Sequence, residues 1–258
     1  MSVNIPYHRI WRPHKGYSWM SKMWGGDEPK VTIDYLSDEL FANQLEMRSL
    51  VTTARLLIHD LYTLFNYIEP DDTNLSVFSH RIYELFLRAT TEVESNFKGI
   101  LKANNYQNNG NLNISNDYFR LASILKLPEY RIVFKRWNSH REFKPFEAWS
   151  TYTYYVPLAW YQAYNQVKHN RYDNFKEANL ENLMNALAGL LCLLHAQIGE
   201  EMAVACFEGM STIQDNQNQV TTESFDIYAP SFSDADQYEF VWDDIKQNNQ
   251  NPVIDYTF

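Results

Sequence analysis

Apolar residues recur every three or four positions along three long stretches of the chain. They occupy residues 37–68, which contain no Gly or Pro, residues 79–101, and a segment from about 173 to 202. This spacing predicts three long helices that each turn an apolar face toward a core. A shorter fourth helix is predicted from Pro157, because proline is accepted in the first turn of a helix, to Arg171.

The fold class that this pattern favours is all-α, with the helices packed as an up-down bundle. Residues 130–134 have the composition of a strand, but one short run without a hairpin partner does not establish a sheet. We therefore expect a helical domain over residues 37–212. Irregular, aromatic-rich arms are expected at residues 1–36 and 213–258.

The negative charge of the chain is concentrated at its C-terminal end. The net charge is −10, and residues 213–258 hold nine acidic side chains against Lys246 alone, which makes −8. The remaining body is nearly neutral, so we expect no continuous basic surface for extended binding to DNA. Interleaved aromatic residues indicate that the acidic segment docks. We favour a cover on the helical body over an acidic surface that shields a basic site or recruits a protein partner.

The chain is expected to be a cytoplasmic protein that uses no cofactor. It has no signal-peptide pattern and no apolar run long enough to cross a membrane. Cys192 and Cys206 lie in apolar helical surroundings, which fits buried thiols better than a disulfide. The motifs of phosphate-binding loops, zinc hydrolases and serine hydrolases are absent, and no set of residues is spaced to hold a metal.

One polar cluster, residues 165–171, has the composition of a chemical site. Asn165 and His169 are four residues apart, so they share one helix face, with Lys168 beside them. A histidine can act as general acid or base, while Lys168 or Arg171 could hold a phosphate. The alternative is that these side chains cap the carbonyl groups at a helix C-terminus, and spacing alone favours this alternative.

Other polar residues in the predicted helices are open to simpler explanations. Glu84, Arg88 and Glu92 form a ladder at i, i+4 and i+8, which is usually a solvated face and would bind substrate only if it faces the histidine site. His59 and His195 lie in apolar helices, so each is interpreted as a core or interface histidine.

Two segments together carry a family resemblance: residues 81–98, and residues 164–171 leading into the apolar helix 179–199. They resemble the HEPN superfamily over roughly residues 45–205. The resemblance implies a small helical bundle that is commonly a homodimer, here through helices near His169. Many members are metal-independent endoribonucleases of toxin, antiphage and RNA-processing systems, and others are non-catalytic.

The resemblance assigns the family histidine to His169. Catalytic members carry an arginine four to six intervening residues earlier, where this chain has Gln162, Ala163 and Tyr164. By this resemblance His169 would be catalytic, Asn165 would orient the substrate, and Lys168 or Arg171 would stabilise the phosphate. We therefore expect a site for RNA or a nucleotide, with binding slightly favoured over cleavage. A structural or regulatory protein-interaction module is the alternative.

Overall fold

The computed structural model describes residues 4–15, 44–199, 219–240, 242–248 and 251–258. The predicted helix start at Ser37 and the thiol of Cys206 lie outside these residues. Seven helices are described, four long and three short: α1 (Gln44–Leu64), α2 (His80–Ala103), α3 (Leu121–Ile124), α4 (Ala159–His169), α5 (Arg171–Asn174), α6 (Leu180–Ile198) and α7 (Trp242–Gln247).

Helix α6 is the centre of the molecule. Every side chain from Ala186 to Ile198 is buried, because α1, α2 and α4 all pack against this helix. Helix α2 buries the stripe predicted from its spacing, which includes Ile82, Ala89 and Phe97. A helix that is apolar on all sides, such as α6, must be surrounded by other elements. A helix with one apolar stripe, such as α2, turns that stripe toward it. The mainly helical architecture is thus confirmed.

The all-α prediction is wrong in one respect, because four short strands form an antiparallel sheet. The strands are β1 (Arg131–Phe134), β2 (Glu142–Phe143), β3 (Gln219–Thr221) and β4 (Phe225–Tyr228), in the order β2-β1-β4-β3. The longest pairing joins β1 to β4, with Arg131 opposite Tyr228. Strands β1 and β4 are far apart in sequence, and the nearby partner of β1, β2, has only two residues, so no local pattern predicts the sheet.

The described part of the acidic C-terminal segment docks on the rest of the molecule. Strands β3 and β4 belong to the sheet, and Tyr238 is fully buried. Acids of the segment pair with cations of the body: Asp226 with Lys135 at 2.8 Å, Glu239 with Lys15 at 3.1 Å, and Asp236 with Lys126 at 3.4 Å. These contacts favour the covering role of the segment, and a protein partner for its acids stays a prediction.

The N-terminal arm, residues 4–15, closes the end of the bundle where α2 and α6 both terminate. Arg9 is 3% exposed; its Nε donates to Gln197 Oε1 at 2.8 Å and its Nη1 to Glu46 Oε1 at 2.7 Å. A Cβ at Gly99 would collide with this guanidinium, so the glycine makes room for it. The backbone N–H of Trp11 donates to Ala196 O at 2.8 Å. The arm is therefore an integral part of the packing.

The two histidines interpreted from apolar helices differ in the structure. His195 is 1% exposed and its Nδ1 lies 3.0 Å from the hydroxyl of Tyr130, so its assignment to the core is confirmed. His59 is exposed and therefore not a core histidine, because it lies on a different face of α1 from the buried Leu57 and Leu61; an interface at His59 stays a prediction. Among the described residues, no helix is long and apolar enough to cross a membrane.

Candidate functional site

The polar cluster lies where α4 ends and α5 begins. Asn170 breaks the helix between His169 and Arg171, with φ −144° and ψ 78°. The same residue caps α5, because its Oδ1 accepts from the N–H of Asp173 at 3.4 Å and its Nδ2 donates to the Asp173 carboxylate at 2.6 Å. The chain changes direction at Asn170 and forms the α4–α5 corner. His169 is the last residue of α4, and Arg171 is the first residue of α5.

The alternative role of the cluster is to cap the carbonyl groups at the C-terminal end of α4. The carbonyl of Gln166 accepts from the backbone N–H of Asn170 at 2.9 Å and from Nδ2 of Asn174 at 3.5 Å. Lys168 bonds to the hydroxyl of Tyr164 instead of a carbonyl. An asparagine thus caps this carbonyl, while Lys168 and His169 lie in the last turn of α4, where positive charge complements the helix dipole as the alternative expects.

Four predicted site residues occupy this corner. His169, Lys168 and Arg171 are exposed, and Asn165 is half-buried one helical turn before His169. The ammonium Nζ of Lys168 donates to Tyr164 Oη at 3.1 Å and lies 5.0 Å from the centre of its ring. This hydrogen bond raises the pKa of Lys168 above its ordinary value, and the nearby charge of Glu94 acts in the same direction. Lys168 is thus a tethered and fully charged cation.

Aromatic rings surround Arg171. Its guanidinium carbon lies 5.1 Å from the ring centre of Tyr83 and 5.6 Å from that of Phe175. The Phe175 ring also contacts His80 at 4.8 Å and Phe78 at 5.7 Å between centroids. These contacts join the start of α2 to the α4–α5 corner.

The resulting surface combines rings and cations that reach solvent. The ring of Tyr172 is 94% exposed and that of Phe78 is 40% exposed. We name this region the aromatic–basic surface and define it by eight residues: Phe78, His80, Tyr83, Lys168, His169, Arg171, Tyr172 and Phe175.

A cluster of tyrosines and one carboxylate lies beneath Lys168. Glu94, with a side chain 16% exposed, accepts a hydrogen bond of 2.5 Å from the hydroxyl of Tyr161. Burial raises the pKa of Tyr161 and of Tyr118, and the negative charge of Glu94 raises both further. Tyr161 and Tyr118 therefore keep their protons and act as neutral hydrogen-bonding groups. The sequence analysis did not assign Tyr161 or Tyr164 to the site; the only local signal was the helical spacing of Tyr161, Tyr164 and Lys168.

The structure does not bring Glu84 and Arg88 to this corner. Arg88 Nη1 bonds to Asp60 Oδ2 of α1 at 2.6 Å, and Glu84 pairs with Arg81 at 2.8 Å. Both predicted substrate-binding residues line a cleft of about 400 Å³ between α1 and α2. The residues of α2 that contact α4 and α5 are Tyr83, Phe86 and Glu94, on another face of the helix.

The arginine position of the family motif is filled by other side chains. Ala163 and Tyr164 are buried against the bundle, and Gln162 is exposed. The arginine nearest to His169 along the chain is Arg171, which follows the histidine instead of preceding it. Within the described ranges, no group of three His, Cys, Asp or Glu side chains is arranged to hold a metal ion.

Comparison of the chain with models of protein families, with curated proteins and with solved structures finds no match.

Proposed function

We propose that this protein is an HEPN-like helical protein that binds single-stranded RNA through the aromatic–basic surface. The observation that supports this proposal is the exposed ring of Tyr172 beside the cations Lys168 and Arg171 and the accessible imidazole of His169. Unpaired bases stack on aromatic faces, and each stack contributes about 1–3 kcal/mol. Phosphates are attracted by the neighbouring cations, so the surface offers a partner for both parts of a nucleotide.

The electrostatics of the surface fit a short, single-stranded ligand better than a duplex. The charge is local, because the body outside residues 213–258 is close to neutral. The surface also lies at the N-terminal end of α2, where the helix dipole favours anions. A few phosphates can be held here, whereas a duplex requires a longer basic track.

The experiment is an equilibrium binding titration of a fluorescein-labelled single-stranded RNA with EDTA present, followed by anisotropy. We expect wild-type protein to bind and His169→Ala and Tyr172→Ala to bind at least about fivefold more weakly. His59→Ala and Tyr67→Ala are matched controls, since both residues are exposed and lie on α1 or just after it. Absence of binding by folded wild-type protein, or equal loss in the control variants, would refute the proposal.

Metal-free cleavage of the bound RNA is a second candidate, favoured by the accessibility of His169. His169 would take the proton of a 2′-hydroxyl, whose oxygen attacks the adjacent phosphorus and displaces the 5′-oxygen, and the leaving 5′-oxygen takes a proton from water. Asn165 would orient the phosphate, and Lys168 or Arg171 would stabilise the phosphorane. The products are a 2′,3′-cyclic phosphate and a 5′-hydroxyl. Both ends can be identified on a denaturing gel, and cleavage that persists in folded His169→Ala excludes this assignment.

A homodimer formed near His169 is part of the same proposal, because the resemblance implies it. Light scattering on the purified protein measures the mass directly. A monomer at all concentrations would leave each aromatic–basic surface to act alone.

A further inference from the structure

Lys168 of the aromatic–basic surface differs from an ordinary surface lysine because another side chain, that of Tyr164, binds its ammonium group. Its Nζ both donates to Tyr164 Oη at 3.1 Å and lies 5.0 Å from the centre of the same ring. Tyr164 is only 2% exposed, with its ring against Phe86 at 6.3 Å and Tyr161 at 5.7 Å between centroids. The hydroxyl that receives the ammonium is therefore at a fixed position.

The carboxylate of Glu94 acts on the Lys168 ammonium through its charge. Glu94 accepts from Tyr161 at 2.5 Å and pairs with Lys98 at 3.8 Å, so its carboxylate is fixed from two sides. Burial and the charge of Glu94 keep the surrounding phenols neutral. Lys168 is held by the hydroxyl of Tyr164, and this hydrogen bond fixes the cation without a direct ion pair.

We infer that Tyr164 is a positioning residue that holds the Lys168 ammonium in place to contact a phosphate of the bound RNA. This inference rests on the proposed function, because it names how one cation of that surface recognises its ligand. A free lysine side chain samples many rotamers and loses them on binding, which weakens the interaction. A lysine already held by Tyr164 has lost that freedom before the RNA arrives, so the phosphate contact is stronger.

The test is a double-mutant cycle on RNA affinity with Tyr164→Phe, Lys168→Ala and the double variant. Tyr164→Phe removes the hydroxyl and keeps the packed ring, and we expect it to weaken binding about two- to tenfold. In the Lys168→Ala background the same change is expected to have no further effect. Lys168→Ala is expected to reduce the slope of log affinity against log salt by about one, while Tyr164→Phe leaves the slope unchanged.

Tyr130→Phe is the matched control, because Tyr130 is also a buried tyrosine that donates or accepts one hydrogen bond, to His195. It is expected to change stability and leave RNA affinity unaltered. Equal weakening by Tyr164→Phe with and without Lys168, or no weakening at all, would overturn the positioning role while leaving RNA binding intact.

Titration of Lys168 by side-chain NMR provides a readout that needs no RNA. The pKa of Lys168 is expected to fall in Tyr164→Phe, because the hydrogen bond that raises it is removed. If the pKa falls as expected but wild-type protein binds no RNA, the tether exists and both the proposed function and the positioning role are refuted. If the pKa does not change while RNA still binds, the positioning role alone is refuted.

Discussion

The two ends of the α2–α6 pair carry the same kinds of side chain in opposite environments. At the end closed by the N-terminal arm, Arg9 and His195 are 3% and 1% exposed. At the other end, Arg171 and His169 are exposed at the α4–α5 corner. Burial, rather than residue type, thus separates groups that hold the fold from groups that can meet a ligand.

The partners of the two arginines explain the difference further. Arg9 is bonded to the Glu46 carboxylate, which neutralises it, and to Gln197. Arg171 instead lies over the rings of Tyr83 and Phe175. An aromatic contact orients a guanidinium but leaves its charge in place, so the second arginine keeps its attraction for phosphate. We therefore expect substitutions at the arm end to lower stability and substitutions at the corner to weaken RNA binding.

The largest expected effect is a loss of stability in acid that comes from His195. Burial lowers its pKa from 6.5 to about 3, so between these pH values the unfolded chain binds more protons than the folded chain. Acidification therefore favours unfolding, and His195 is expected to contribute about 4 kcal/mol of lost stability between pH 6.5 and 3. Urea unfolding at pH 7, 5 and 4 measures this loss.

The control for this prediction is His195→Gln, which stays neutral and can still bond to Tyr130. Its unfolding free energy is expected to depend less on pH, although carboxylates still add their share below pH 5. If the wild type and His195→Gln show the same slope from pH 6.5 to 5, the account of the arm end is wrong.

The second prediction compares one substitution at both ends. Arg9→Ala leaves Gln197 and Glu46 without their buried partner and is expected to lower the unfolding free energy by about 3 kcal/mol. Arg171→Ala removes an exposed side chain and is expected to change stability by less than about 0.5 kcal/mol. RNA affinity should show the reverse order at a temperature where both variants are folded. If Arg9→Ala and Arg171→Ala lower the unfolding free energy equally, the two ends of the α2–α6 pair do not differ in their contribution to stability.

The third prediction concerns the stacking ring at the corner. Tyr172→Leu keeps an apolar side chain but removes the aromatic face, and it is expected to weaken RNA binding by about 1–2 kcal/mol. Tyr172→Trp keeps a face for stacking and should bind at least as tightly as the wild type. Anisotropy titrations measure both. If leucine and tryptophan at this position bind RNA equally well, the ring does not stack on a base.

The smallest effect is expected at the cleft between α1 and α2. The pair of Arg88 and Asp60 has side chains 52% and 45% exposed, so Arg88→Ala is expected to cost about 0.5 kcal/mol of stability. Since Arg88 faces α1, RNA affinity should be unchanged. A loss of RNA affinity comparable to that of Arg171→Ala would show that the cleft belongs to the binding surface.

Local patterns predicted the parts of the fold that depend on local packing. The apolar stripe of α2 and the uniformly apolar α6 indicated their helices, and the run of Tyr130 to Phe134 indicated a strand without a partner. One partner, β4, lies in the acidic segment, and the other, β2, has only two residues, so neither is predicted by a local pattern. The exposure of His59 was also not predictable from local sequence, because it depends on which face of α1 the other helices cover.

The candidate site likewise contains residues that the sequence predicted and residues that only the fold brings together. Lys168, His169 and Arg171 adjoin in sequence, so composition alone drew attention to them. Phe78, His80 and Tyr83 are brought to the corner by the packing of α2 against Phe175, and no spacing rule connects them to residues 168–171. Glu84 and Arg88 were associated with the site by their helix, but the rotation of α2 places them on the face toward α1.

Hydrogen–deuterium exchange of the full chain, with and without a saturating single-stranded RNA, locates the RNA-binding surface. The account predicts that RNA slows exchange at residues 78–83 and 168–176, and leaves residues 4–15 and the end of α6 unchanged. Protection confined to the arm end, or to the cleft between α1 and α2, would contradict the assignment of binding to the aromatic–basic surface.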